Sequence, residues 1–353
     1  MTILLFAFCI FSIFTVLDCK VVEECGDQCK LINDCACESS NSPIEQNLTP
    51  QFVTLVFNDL VLASNYDEYY SKFFLDRKNP DGNPITASFY VLPENSDCDI
   101  VNKLYNNGYD INLSIKSACS SEEQIRQNIE KMRKNVSKIA NVSIDDIIGI
   151  KSRLFGDATF GAYQDVKMSY DNSYVVSYRS RTFPFTLEYK SSLGLLESYP
   201  HFWVLPMINF IGEAGRECNS LFSCQIQGTT SEIVQWLFDQ FNQSYNTNRA
   251  PITILLNTIW FLATPNSEEA FALFLDRLAS YKDVFLVGHS EVLRWSRNPV
   301  PSDVYETNFK RRSRSCTPAN CIYFIPELNE SKSARICGTC PLHYPWLENS
   351  CEN

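Results

Sequence analysis

Phe52-Val53-Thr54-Leu55-Val56-Phe57, closed by Asn58-Asp59, is apolar or β-branched on both parities, the pattern of a strand buried on both faces. Strands covered that completely belong to parallel sheets flanked by helices. Downstream the pattern alternates. A helical segment around 66–76 is followed by a strand at 85–91, another helix, and a strand at 109–114. Ser120 and Glu123 have the spacing of a capping box, opening a helix with Ile125, Ile129, Met132, Val136 and Ile139 on one face. Further strands are predicted at 144–151, 174–178, 203–207, 252–256 and 284–288. Helices are predicted at 231–242 and 267–281, the latter burying Phe271, Phe274, Leu275 and Leu278. Strands alternating with helices pair in parallel, in a barrel or a doubly wound sheet.

The chain has 353 residues, 45% hydrophobic and 13% aromatic, enough for one large folded core. Its net charge of -11 argues against a nucleic-acid surface, and the one basic cluster, Lys310-Arg311-Arg312 with Arg314, reads as a solvated loop. The apolar run Ile3–Val16 is short for a bilayer and is followed by Asp18, Cys19 and Lys20, so residues 1–19 are predicted to be a cleaved secretory signal peptide, with a retained anchor as the alternative. No later stretch is long and apolar enough to span a membrane, which makes the expected location extracellular. A cysteine-rich segment fills 20–50, the alternating region 51–300, and a second cysteine-rich strap 301–353.

Thirteen cysteines follow the signal: Cys25, Cys29, Cys35, Cys37, Cys98, Cys119, Cys218, Cys224, Cys316, Cys321, Cys337, Cys340 and Cys351. Their clustering at the two ends suits local disulfides in an oxidising compartment. Cys98–Cys119 and Cys218–Cys224 are expected as further pairs, and Cys351 as the odd thiol. Cys337-x-x-Cys340 lacks the second ligand pair that a zinc reading requires. Sequons begin at Asn47, Asn112, Asn135, Asn141, Asn242 and Asn329.

Several motifs fall in a recognisable order: Cys25-x3-Cys29-x5-Cys35-x-Cys37, Asn79-Pro80-x-Gly82-x-Pro84-Ile85, Phe183-Pro184-Phe185-Thr186-Leu187 and Trp203-x-x-Pro206-Met207. Cys218-x5-Cys224, Asn248-Arg249-Ala250-Pro251, Trp295 with Asn298-Pro299, and Cys337-x-x-Cys340-Pro341 before Tyr344-Pro345-Trp346-Leu347 continue it. Together they resemble the animal chitin deacetylase-like proteins, built on the NodB-type polysaccharide deacetylase domain. The resemblance implies an α/β fold: a distorted (β/α) barrel of the polysaccharide deacetylase type with about seven strands, flanked by disulfide-rich N- and C-terminal segments. It also implies the chemistry of active members, in which a divalent metal, usually zinc, makes water nucleophilic and a carboxylate takes its proton.

Against that pattern the chain departs at most positions. Asn58 stands where the base would be, and Asp59 keeps the ligand carboxylate. Ser114 and Ala118 stand in place of the two histidine ligands. Lys151 replaces the orienting arginine, Asp171 keeps the later aspartate, and Asn257 replaces the last histidine. One carboxylate does not make the three-ligand set of a catalytic zinc site. The expectation is therefore an inactive homologue with no metal or other cofactor, a carbohydrate-associated or protein-interaction module. Its expected partners are a chitin-type N-acetylglucosamine polymer or an extracellular protein. Asp59, Asp171 and Trp260 are candidate sugar contacts, with Phe155, Phe160, Tyr163 and Tyr178 as further stacking faces. His201, His289 and His343 read as surface or packing residues. The alternatives are an active metal-dependent N-deacetylase with relocated ligands and a purely structural secreted glycoprotein. If Ser114 points into the barrel, Asn112 does too, and its sequon is expected to stay bare while Asn47, Asn135, Asn141, Asn242 and Asn329 are open to glycosylation.

Overall fold

The computed structural model describes residues 22–346 except 75, 95, 116–120, 154, 327 and 328. The predicted signal peptide and the predictions for Ala118, Cys119 and Cys351 lie outside the described residues. The main sheet contains β1 (Gln51–Phe57), β2 (Ser88–Val91), β3 (Asp110–Ile115), β4 (Gly149–Ser152), β5 (Tyr170–Asp171), β6 (Phe185–Leu187), β7 (Tyr199–Val204), β8 (Ile252–Leu256) and β9 (Val284–Leu286). Their order is β8-β1-β2-β3-β4-β5-β7-β6, with β9 also against β1. Every pairing is parallel except β6 on β7. All seven residues of β1 are buried, as its continuous apolar run requires. Val53 pairs with β8 on one edge and with β9 on the other, so β1 is an interior strand of the sheet.

Alternation along the strands divides the core in two. Val53, Leu55 and Phe57 pack against the helices, whereas Phe52 and Val56 join Tyr90, Tyr170, Trp203 and Phe285 inside the curled sheet. Besides a helical stretch over 63–74, the described helices are α1 (Cys98–Asn106), α2 (Glu122–Ile139), α3 (Asp157–Asp165), α4 (Thr230–Tyr245), α5 (Thr258–Ala263), α6 (Ser267–Leu278) and α7 (His289–Arg297). The cap of α2 falls one residue later than predicted: Ser121 accepts from Gln124 N. A full capping box, Thr229 with Glu232, opens α4. The cysteine-rich lead-in lies along the β6–β7 edge, where Thr186 N donates to Ala36 O (2.9 Å) and Phe183 N to Ser39 O (2.9 Å).

Two strand predictions need correction. The predicted strand 144–151 begins only at Gly149, because Ile144–Asp146 forms a 3-10 turn carrying two acidic side chains unsuited to a buried sheet. In place of 174–178, the sheet strand is Tyr170–Asp171. Val175–Val176 pairs separately with Met207–Ile208.

The local disulfides form as expected: Cys25–Cys37, Cys29–Cys35 and Cys218–Cys224, with Cys316–Cys337 and Cys321–Cys340 stapling the hairpin of β10 (Pro318–Ile325) and β11 (Glu330–Cys337). The Cys98–Cys119 pairing fails, since Cys98 is a free thiol. It begins α1 beneath the hairpin, where Arg335 holds Asp99 through two 2.8 Å bonds and the Cys337 sulfur lies 3.6 Å from the Cys98 carbonyl oxygen. Burial pushes its thiol up to about 12. Iodoacetamide at pH 8 should therefore leave the Cys98 peptide unmodified in the native protein and label it after unfolding in guanidinium. Native labelling, or a disulfide to Cys98 in the peptide map, would contradict this placement.

Candidate functional site

The C-terminal ends of β1, β3, β4, β5 and β8 bring the sequence-predicted positions to one end of the barrel. Asn58 shares the inward parity of Val56, and Asn257 follows β8 beside it, one step past the Phe57–Leu256 pair. Ser114 pairs with Lys151 across β3 and β4. Gly149, two residues before Lys151, shows how close the interior is: a Cβ there would lie 2.3 Å from the Tyr170 ring. Asn112, on the same parity as Ser114, is fully buried and accepts from Gly149 N at 3.0 Å, so a glycan has no space there.

Asp59 does not face this cleft. Its Oδ2 accepts from Thr258 N (2.7 Å) and Thr258 Oγ1 (3.0 Å), and its Oδ1 from the Tyr70 hydroxyl (3.4 Å). Thr258 is the first residue of α5, and Asn257 caps the same helix by accepting from Trp260 N at 3.2 Å. Burial raises the Asp59 carboxyl above its usual range, against the lowering effect of these hydrogen bonds.

Lys151 is buried near the end of β4. Its Nζ donates to the Asn172 carbonyl (2.6 Å) and to Met207 Sδ (3.0 Å). Burial lowers the ammonium to about 8, and the charge of Asp171 opposes that fall. Asp171, predicted to line the cleft, is turned from it. It pairs with Ile150, whose side chain belongs to the helix-facing core, and its two oxygens accept from Ser173 N (2.7 Å) and Ser173 Oγ (2.6 Å). Asn172 takes the inward position, a residue the sequence reading missed although it alternates with Asp171 behind inward Tyr170. Its Nδ2 donates to Leu205 O at 2.8 Å, while its Oδ1, like Asn58 Oδ1, is buried without a partner.

Trp260 must also be corrected. It is 1% exposed and packs on Phe261 and Phe271, so it offers no face to a sugar. Phe160 and Tyr163 are buried as well, whereas Phe155 is 52% exposed and Tyr178 half-buried. His289 is a packing residue, its ring nitrogens 2.9 Å from the Tyr90 hydroxyl and 3.1 Å from Thr253 Oγ1, and burial keeps it neutral by lowering it to about 3. His201 and His343 are exposed. Among the described residues, the groups of three His, Cys, Asp or Glu close enough to share an ion are Cys25-Cys29-Cys37 and Cys29-Cys35-Glu188, whose cysteines are in disulfides.

A curled parallel sheet wrapped by helices, disulfide-rich at both ends and carrying its polar cluster at the strand C-termini, is an α/β barrel-type domain. No family model matches the chain. It is 29% identical to chitin deacetylase 8 of Bombyx mori over 92% of each protein, and 25% identical to chitin deacetylase 1 of Bombyx mori over 92% of this chain and 67% of that one. A crystal structure assigned as a polysaccharide deacetylase from Mycobacterium smegmatis aligns over 78% of this chain and 99% of its own, with a TM-score of 0.49 and 12% identity. Over nearly its whole length the chain is thus similar to chitin deacetylases.

The buried carboxyl of Asp171 gives the fold a pH signature. Burial raises it to about 6, against the lowering effect of the Ser173 hydrogen bonds and of Lys151, so the folded state holds a proton that the unfolded chain has already released. Its contribution is full below the unfolded value and is lost as pH rises through about 6. Denaturation between pH 4 and 7 should show wild-type stability falling relative to Asp171→Asn by about 2–3 kcal/mol. A pH-independent difference between the two proteins would contradict this environment.

Proposed function

We propose that this protein is a secreted, non-hydrolysing chitin deacetylase-like protein that associates with a chitin-type polymer. The observation that carries the reading is the state of Asp59. As the one family-type ligand kept among the described positions, it is bonded to Thr258 and Tyr70 at the start of α5. A catalytic zinc ion takes three protein ligands. The other described family positions at the strand ends are Asn58, Ser114, Lys151 and Asn257, and with that single carboxylate they do not fit such an ion. Asn58 also lacks the carboxylate that would take a proton from water. The buried, partnerless carbonyl oxygens of Asn58 and Asn172 favour a bound donor, such as a sugar hydroxyl or amide N–H. Half-exposed Phe155 and Tyr178 offer apolar faces. The described disulfides agree with an oxidising compartment, and no described helix is long and apolar enough to cross a membrane.

The test pairs two assays on the secreted full-length protein. Chitin hexamer should yield no acetate, and the protein should sediment with insoluble chitin. Acetate release that disappears in Asp59→Ala would overturn the non-hydrolysing reading. Complete recovery in the supernatant would overturn polymer binding and favour a protein partner.

A further inference from the structure

We infer that the end of the barrel opposite the strand C-termini carries a site for an anionic sugar polymer, one bearing sulfate or carboxylate groups. It is centred on Lys78, Arg311 and the rings of Tyr66, Tyr109 and Phe309, and it does not depend on the chitin reading above. These residues line a cavity of about 330 Å³, within the range of small-ligand sites, roughly 300–1,000 Å³. Tyr109 immediately precedes β3, and Lys78 is bridged to Pro84 ahead of β2, so the cavity lies at the N-terminal ends of these strands. Its other wall is the basic cluster that the sequence presents as a solvated loop. That segment is docked on the end of α1. Arg312 N donates to Asn106 O (2.9 Å), Arg314 N donates to Asn106 Oδ1 (2.9 Å), and Asn106 Nδ2 donates to Arg314 O (2.8 Å). The Arg312 guanidinium is used in this docking, 4.4 Å over the Tyr105 ring and 3.2 Å from Asp146. Phe309 is seated on Gly108, where a Cβ would come within 2.7 Å of its ring.

The docked segment presents cations that the protein leaves uncompensated. Lys78, Lys310 and Arg311 are exposed and form no ion pair among the described residues. Arg77, also in the cavity wall, is held by Asp276 at 2.8 Å, and Asp76 is the one acidic side chain lining the cavity. Lys103 adds a further charge, its Nζ 3.8 Å from the centre of the Tyr66 ring. Lys310 lines the adjoining cavity on the other side of Phe309, where Asp110 is held by Ser290, Asp146 by Arg312 and Glu291 by Arg294. The result is a positive strip on a chain of net charge -11, and such a strip concentrates anions locally. A guanidinium fork and an ammonium across one cavity match the oxygens of a sulfate or carboxylate. The part-exposed rings of Tyr66, Tyr109 and Phe309 offer flat apolar faces for the C–H side of a sugar ring. A polymer that alternates sugar rings with anionic groups meets both features and reaches from Arg311 to Lys310. An acidic peptide meets only the charges.

Surface plasmon resonance of the secreted full-length protein over immobilised heparin, polygalacturonate and polyglutamate tests this, in about 0.15 M salt to screen the acidic surface. Heparin presents sulfate on sugar, polygalacturonate presents carboxylate on sugar, and polyglutamate presents carboxylate without sugar. The protein should bind heparin or polygalacturonate, whichever carries the matching anion, and bind polyglutamate more weakly. Lys78→Ser combined with Arg311→Ser should weaken sugar-polymer binding by about ten-fold and flatten its salt dependence. Lys134→Ser combined with Lys190→Ser removes the same charge where each lysine already pairs with a glutamate, and should change binding by less than about two-fold. All four side chains are exposed, so the variants keep the fold. Binding to neither sugar polymer, equal weakening by the two double variants, or polyglutamate bound as tightly as the sugar polymers would overturn the assignment. Each of these outcomes leaves the chitin sedimentation result untouched, so the two readings fail separately.

Discussion

The hydrogen bonds from Thr258 to Asp59 join the end of β1 to the start of α5, and the character of the cleft follows from them. A carboxylate at the end of a buried strand can face the barrel mouth or meet the donors of a neighbouring helix N-terminus. Here it meets the helix, at 2.7 and 3.0 Å, while Asn257 caps the same helix from the adjoining strand. Two residues that could have met in the cleft are instead bound to the scaffold. The inward space passes to amides, a serine and a lysine.

That redistribution makes the cleft cationic inside an acidic protein. Desolvation disfavours charge on Lys151, and the residual attraction of Asp171 partly offsets it. Asp171 is itself held by Ser173, whose hydroxyl also accepts from Ser152 N at 2.7 Å, so this carboxyl braces the ends of β4 and β5. Structural polar groups of this kind are bonded on several sides. The side-chain carbonyl oxygens of Asn58 and Asn172 are not: they are buried without a partner.

Much of this was legible in the chain. The uninterrupted apolar run of β1 announced a central parallel strand, and the short spacing of terminal cysteines announced their local pairing. The inward direction of Ser114 and Lys151 follows from strand parity once the motifs align the strands. Asp171 was misread because β5 is two residues long, and alternation cannot be read from so short a segment. Trp260 was misread because Asn257 starts a new helix just before it. That turn leaves Ile259 and Leu262 half-exposed or more and drives the indole into the core. Cys98 was mispaired because its neighbour is chosen by the docking of a hairpin more than two hundred residues away.

The most direct measurement of the central claim is calorimetric titration of the chelator-treated protein with zinc at pH 7, repeated on Asp59→Ala. With Asp59 held by Thr258 and no second family-type ligand among the described strand ends, the account predicts no stoichiometric binding and superimposable titrations for the two proteins. A single tight site present in wild type and lost in Asp59→Ala would contradict it.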